Sequence, residues 1–274
     1  EQGLSNIAWA LATLGIIEPR LFDAIARASE QRICDINVQN LANTAWTFAT
    51  LGISEPGLFD AIARASEQRI DDFKPQDLAN TAWAFATLGV SEPQLLDAIA
   101  RVSEQRIGDF TGQNLTNTAW AFAVVGVATR GALVKAVNAR AAAIESAALS
   151  REGRTQLHQF FLGAELELRP PAELLALINL RDACNQAMAN EPTASSKLHL
   201  EVSAELTRMG IAHANELCLP KLGYHVDIAI LRLVIEVDGP SHYDAARRLL
   251  PATALIRRHL ALVDCAVVAV PHWE

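Results

Sequence analysis

The chain has 274 residues, 51% hydrophobic and 20% charged, with a formal net charge of −8; the length leaves room for two domains and the composition excludes wholesale disorder. No run of about 18 apolar residues goes uninterrupted, which excludes a membrane-crossing helix. The acid excess is shared, with 11 Lys+Arg against 16 Asp+Glu in residues 1–150 and 12 against 15 in residues 151–274, so neither half has the basic balance of sequence-independent nucleic-acid binding.

Trp9, Trp46, Trp83 and Trp120 are spaced by 37 residues, each inside a near-copy of one phrase: LSNIAWALATLG, LANTAWTFATLG, LANTAWAFATLG and LTNTAWAFAVVG. A fixed period of this length marks a solenoid, whose units bury their apolar faces only by stacking on one another. In the second unit Leu41, Ala45, Phe48 and Leu51 recur at helical spacing, which predicts a helix A over 38–51 stopped by Gly52. A helix B follows from about Pro56, with Leu58, Ile62, Ala65 and Ile70 on one face and Arg64, Glu67 and Gln68 on the other. The fourth unit keeps helix A and drifts in helix B (130–144). A weaker fifth pair, 154–166 and 171–189, is expected to cap the stack.

The tryptophans lie among Ala, Leu and Phe, so core wedges are the preferred reading over stacking platforms for bases; the phenylalanines are read the same way. Asn6, Asn43, Asn80 and Asn117 recur once per unit. Asparagine is a poor helix former, so these amides either bond between units as a ladder or face a groove and read base edges. The ladder is preferred, and Asn43, Asn80 and Asn117 stand as the candidate RNA contacts.

A linker is expected at 191–196, which divides the chain into an array over 1–190 and a second domain over 197–274. That domain should open with a helix over 198–209. The runs His225–Ile230 and Arg232–Asp238 predict a hairpin turning at Leu231-Arg232. Facing residues then sum to 463, which sets Asp227 across from Glu236 with Asp238 two further along the same face. Such a carboxylate cluster asks for a cation, a basic partner or a proton. A helix from about Asp244 to Leu262, broken at Pro251, and a buried parallel or central strand from Ala266 close the chain.

The phrases VDIAI, IEVDGPSHY, TALIRRHL and VVAVPHWE, in this order, resemble the RAP domain, an RNA-binding domain abundant in apicomplexans. The array upstream resembles the heptatricopeptide and octotricopeptide repeats of organellar RNA-processing proteins, the FAST kinase family among them. The resemblance implies an α-solenoid followed by a small α/β domain similar to PD-(D/E)XK restriction-endonuclease-like folds. It also implies a mitochondrial or plastid protein that binds single-stranded organellar mRNA or rRNA, alongside other RNA-processing proteins and without a membrane. The sequence departs from the family at Val263-Asp264-Cys265, where a glycine and an aromatic are usual. The chain opens on Glu1 partway through a repeat and so reads as a fragment whose targeting segment lies out of view.

Three functions follow. In the first the solenoid grips RNA while Lys221, His242, Arg257 and Arg258 meet phosphates. In the second, Asp227, Glu236 and Asp238 hold Mg²⁺ for an endoribonuclease, although Asp238 stands where the nuclease motif has lysine, and a carboxylate does not stabilise a developing anion. In the third the chain is a protein-binding scaffold, which suits its acidity.

Overall fold

The computed structural model describes residues 10, 14, 18–126, 131–168 and 178–273; Asn6 and Trp9 lie outside them. The chain divides into two compact units, Glu1–Leu149 and Ser150–Glu274.

The first unit is built of helical hairpins: α1 (Pro19–Gln31), α2 (Val38–Thr50), α3 (Pro56–Gln68), α4 (Pro75–Leu88), α5 (Pro93–Arg106), α6 (Gly112–Val125) and α7 (Gly131–Ala142). Local signals set the helix ends. The Asn37 side chain accepts from Asn40 N at 2.8 Å and Thr111 Oγ1 accepts from Asn114 N at 3.2 Å, capping α2 and α6. The α4 start instead uses the Asp77 carboxylate, which accepts Lys74 N–H at 3.0 Å. Proline opens α1, α3 and α5, where its missing N–H has no partner to lose. Gly52 and Gly89 sit at φ +67° and +66°, and the chain folds back so that Ile53 N and Val90 N bond Phe48 O and Phe85 O, each at 2.9 Å.

Helices α2, α4 and α6 stack directly on one another through alanines. Ala42, Ala45, Ala79, Ala82 and Ala119 are fully buried, and their small side chains let the backbones approach. The wedges between units are phenylalanines. Phe48, Phe85 and Phe122 are wholly buried, with Phe22 edge-on to Phe48 at 5.5 Å and Phe59 edge-on to Phe85 at 5.1 Å.

Three of the described hairpins are also clasped at the base. Arg69, just past α3, donates to Ile36 O at 2.7 Å, ahead of α2; Arg106 donates to Phe73 O at 2.6 Å, ahead of α4. In the fourth unit Arg140 stands one helical turn early, yet reaches Phe110 O with both Nε (3.1 Å) and Nη2 (2.8 Å). The accepting residues are buried. Arg106→Ala is therefore expected to cost roughly 1–3 kcal/mol, the penalty of leaving such a carbonyl unmet. A urea titration checks this, since the midpoint should fall at unchanged slope.

The second unit comprises α8 (Arg151–Leu168), α9 (Ile178–Ala189), α10 (Lys197–Arg208), β1 (Ala214–Leu219), β2 (Tyr224–Ile230), β3 (Leu233–Asp238), α11 (Pro251–Leu262) and β4 (Ala266–Pro271). Helices α8 and α9, assigned from sequence to the cap of the array, lie in this unit. Leu162 of α8 joins Leu222, Tyr224, Val226, Val234 and Leu260 in one core, and His158 bonds Leu222 O at 2.6 Å. A second core sets Ile228, Ile235 and Val237 against Leu198, Val202 and Leu206 of α10. The sheet runs β1-β2-β3-β4, antiparallel except for the parallel β3–β4 pair. Strand β4 is thus parallel to its neighbour but at an edge, not central. The β2–β3 register keeps the sum of 463, through Ile228 with Ile235 and Ile230 with Leu233, and turns at Leu231, whose φ is +56°. Pro251 starts α11 instead of breaking a longer helix, because a first-turn proline is tolerated and an interior one is not.

His259 is wholly buried, its Nδ1 2.7 Å from the Tyr224 hydroxyl. Burial, with Arg258 and His158 adding to it, pushes its pKa down to about 3. The folded unit therefore holds it neutral, while in the unfolded chain it titrates near its ordinary value of about 6.5. Below that pH the unfolded state binds the extra proton, so this contribution to stability should be lost as pH falls from about 6.5 towards 3, by up to ~1.4 kcal/mol per pH unit. Urea midpoints of the second unit between pH 7 and pH 4, compared with a His259→Phe variant, measure it; equal slopes would remove His259 from the account.

Candidate functional site

Two places in the molecule gather chemistry. The first is a stripe on the stacked A helices. Gln39, Asn43, Trp46 and Thr50 follow spacings of four, three and four, which places them on one helical face. The same face carries Gln76, Asn80, Trp83 and Thr87 on α4, and Gln113, Asn117, Trp120 and Val124 on α6. Away from the helix ends this face is where α2 and α4 meet solvent; their other faces are buried.

Along the stripe the indoles form a ladder. Trp46 and Trp83 have ring centroids 6.4 Å apart at 34°, and Trp83 and Trp120 lie 6.3 Å apart at 37°. Trp46 and Trp83 are half-buried and Trp120 is 9% exposed. The wedge reading therefore holds for the phenylalanines and not for Trp46 or Trp83, which lean on one another and keep part of their rings in solvent. Trp and Phe lie two positions apart, about 200° around the helix axis, so they cannot share a face. Asn43, Asn80 and Asn117 are half-buried beside the rings. Among the described residues no ladder joins Asn43 to Asn80. The stripe carries amides, rings and hydroxyls and no formal charge.

The second place is a pocket of about 330 Å³ in the second unit, lined by His199, Glu216, Asp227, Glu236, His242 and Arg257 among others. Asp227 and Glu236, expected to share a face, do line one cavity. Their backbones are not paired; the Asp227 carboxylate instead accepts Val237 N–H at 2.6 Å. Burial, then the charges of Asp227 and Asp238, push the Glu236 pKa up to about 8, and its Oε1 is buried without a hydrogen-bond partner. Burial also raises Asp227. Two carboxylates in one low-dielectric site behave this way when nothing compensates them.

Asp238 is committed elsewhere. It is 2% exposed, accepts from the Tyr243 hydroxyl at 2.7 Å and is ion-paired to Arg257. Arg258 Nε lies 3.0 Å from Glu167, so both arginines expected on phosphates hold carboxylates within the fold. His242 lines the pocket, with Nδ1 3.3 Å from Thr253 Oγ1. Lys221 is exposed in a separate groove with Glu165, Asp182 and Asn185. The expected phosphate set is thus not brought together.

Two residues of the pocket, His199 and Glu216, escaped sequence reading. Glu216 arrives on β1, a strand whose sequence ANELCL has no clean alternation, and it stands at φ +48°. Flanking pairs Asn215 with Ile228 and Leu217 with Val226 place it opposite Asp227. A left-handed non-glycine inside a strand costs of order 1–3 kcal/mol and gathers at functional sites, a signal that only the backbone reveals.

A model of the family described as RNA-editing substrate-binding complex 6 protein matches residues 2–160, more than half of the chain. The chain belongs to that family. The family match spans the whole run of 37-residue units and all of their tryptophans, and it ends within α8, so the sheet unit lies outside it. No curated protein matches the chain. No described helix is long and apolar enough to cross a membrane.

Proposed function

We propose that this chain is an RNA-binding protein of organellar RNA processing, acting in the mitochondrion with proteins of an RNA-editing complex. Its A-helix stripe would hold single-stranded RNA. The family's name, which couples RNA editing with substrate binding in a complex, supports the RNA and the partners; the motif resemblance of residues 197–274 to the RAP domain supports the organelle.

The observation that carries the reading is the ladder of partly exposed indoles flanked by amides. Every base has a π-face, so aromatic rings stack bases with little regard to sequence. An asparagine or glutamine amide offers a donor and an acceptor at once, which suits a base edge. The stripe contains no lysine or arginine, so this grip uses stacking and hydrogen bonds more than counterion release. The RAP-like unit would position the strand in this scheme.

Binding of a short unstructured RNA to the full chain, followed by tryptophan fluorescence over a range of salt, tests the proposal. Quenching should accompany binding. The slope of log K on log salt should be shallow, below about 2 in magnitude, since each phosphate contact to a single strand adds roughly 0.7. Binding with no change in indole emission and a steep salt slope would move the interface off the stripe.

A further inference from the structure

We infer that the second unit binds a divalent transition-metal ion between His199 of α10, Glu216 of β1 and Asp227 of β2. This ligand set differs from the run of carboxylates on the β2–β3 hairpin and stands independently of the RNA reading. One nitrogen and two carboxylate oxygens from three elements lie within 4.8 Å of one another. His199 Nδ1 is 3.4 Å from Glu216 Oε1 and 3.9 Å from Asp227 Oδ1. Two ligands about 2.0–2.1 Å from a tetrahedral ion stand roughly 3.4 Å apart, so closing the site needs only small side-chain movements.

The hydrogen-bond chain behind His199 decides which of its nitrogens faces the carboxylates. His213 Nδ1 lies 2.9 Å from Ile211 O, and a carbonyl only accepts, so Nδ1 carries the proton and neutral His213 offers Nε2 as an acceptor. The Ser203 hydroxyl, 2.8 Å away, donates to that nitrogen and accepts from Asn215 Nδ2 at 2.9 Å. Asn215 thereby turns its Oδ1 to His199 Nε2 at 3.3 Å, which makes Nε2 the donor. In the neutral ring this leaves the lone pair of His199 Nδ1 facing the two carboxylates.

The remaining contacts sharpen the point. Glu216 Oε1 accepts from the Ser195 hydroxyl at 2.9 Å, and Asp227 uses its other oxygen, Oδ2, on Val237 N–H. When His199 is neutral, three electron-pair donors converge with no hydrogen between them, on a ring that is 2% exposed. A metal ion, or a proton on Nδ1, completes such an arrangement. An amide or carbonyl that fixes the tautomer of a ligating histidine from behind is the usual outer support of a metal site. One imidazole with two carboxylates suits Mn²⁺ or Zn²⁺ over Mg²⁺, which keeps to oxygen ligands. The left-handed backbone at Glu216 is the conformation that brings its side chain to the cluster.

The test uses the full chain stripped with a chelator. Calorimetry with MnCl₂, ZnCl₂ and MgCl₂ should show one saturable site for Mn²⁺ and Zn²⁺, at least tenfold tighter than for Mg²⁺. Mn²⁺ binding read by electron paramagnetic resonance should fall at least 30-fold in His199→Gln and in Glu216→Gln. Asn215→Leu, which touches no ligand atom, should weaken it by roughly 10–100-fold, as loss of outer-shell support does. Circular dichroism and urea midpoints identify variants that fail to fold, and Glu216→Gln, which keeps the side-chain shape, serves if His199→Gln is one of them. Absence of saturable Mn²⁺ or Zn²⁺ binding at millimolar concentration would overturn the proposal. So would affinity unchanged in both ligand variants, or an NMR signal showing His199 Nδ1 protonated at pH 7 with saturating Zn²⁺ present.

Discussion

Truncating Phe85 to alanine is expected to destabilise the array by about 3–5 kcal/mol, the largest single effect in the first unit. The ring is wholly buried between stacked hairpins and edge-on to Phe59 at 5.1 Å, so its removal opens a cavity that helices already in contact through alanines have little room to close. Because each unit of a repeat array is held mainly by its neighbours, the damage should extend to the hairpins on either side. Trp83→Ala, two positions away, should cost less, about 1–2 kcal/mol, since the indole is only half-buried and loses chiefly its contacts with Trp46 and Trp120. Equilibrium urea unfolding of both variants makes the comparison. Equal losses would return the tryptophans to the wedge role.

The second large effect concerns RNA. Trp46→Ala combined with Trp83→Ala should weaken binding of a single strand at least 30-fold, because stacking on one aromatic is worth ~1–3 kcal/mol per base and two platforms disappear. The fold should survive, since neither ring closes the phenylalanine core. Binding by fluorescence anisotropy, using labelled RNA so that the lost indoles do not affect the readout, measures the change. A loss below threefold in a folded double variant would show that bases do not stack there, and would leave the amides of Asn43, Asn80 and Asn117 without the platform that orients them.

Much of this architecture is legible in the residues themselves. The 37-residue period, the Asn37 and Thr111 caps, the stop at Gly52 and the β2–β3 register are local or periodic, and local chemistry decides them. What failed depended on choosing between two faces that sequence leaves equivalent. Trp46 and Phe48 are both aromatic in an alanine-rich helix, and only the packing of one helix on the next decides which is enclosed. The helices α8 and α9 were misassigned because an amphipathic helix shows that it has a buried face but not what covers it. The carboxylates divided for a similar reason. Asp227 and Glu236 share a pocket as register demands, whereas the pairing of Asp238 with Arg257 comes from α11, across a connection whose path no periodicity encodes. Glu216 and His199 were invisible because a single left-handed residue and an Asn–Ser–His relay are tertiary facts.

The arginine clasps set the order in which the array can be made. Each one joins residues only 33 or 30 positions apart, and its guanidinium comes at or beyond the end of the hairpin it closes, save in the last, where it lies just inside. Contacts so near in sequence close quickly. A chain leaving the ribosome can therefore shut one hairpin before the next is complete, and each finished hairpin presents a ready surface to its successor. Each such closure spans 30 or 33 residues and waits for no distant segment.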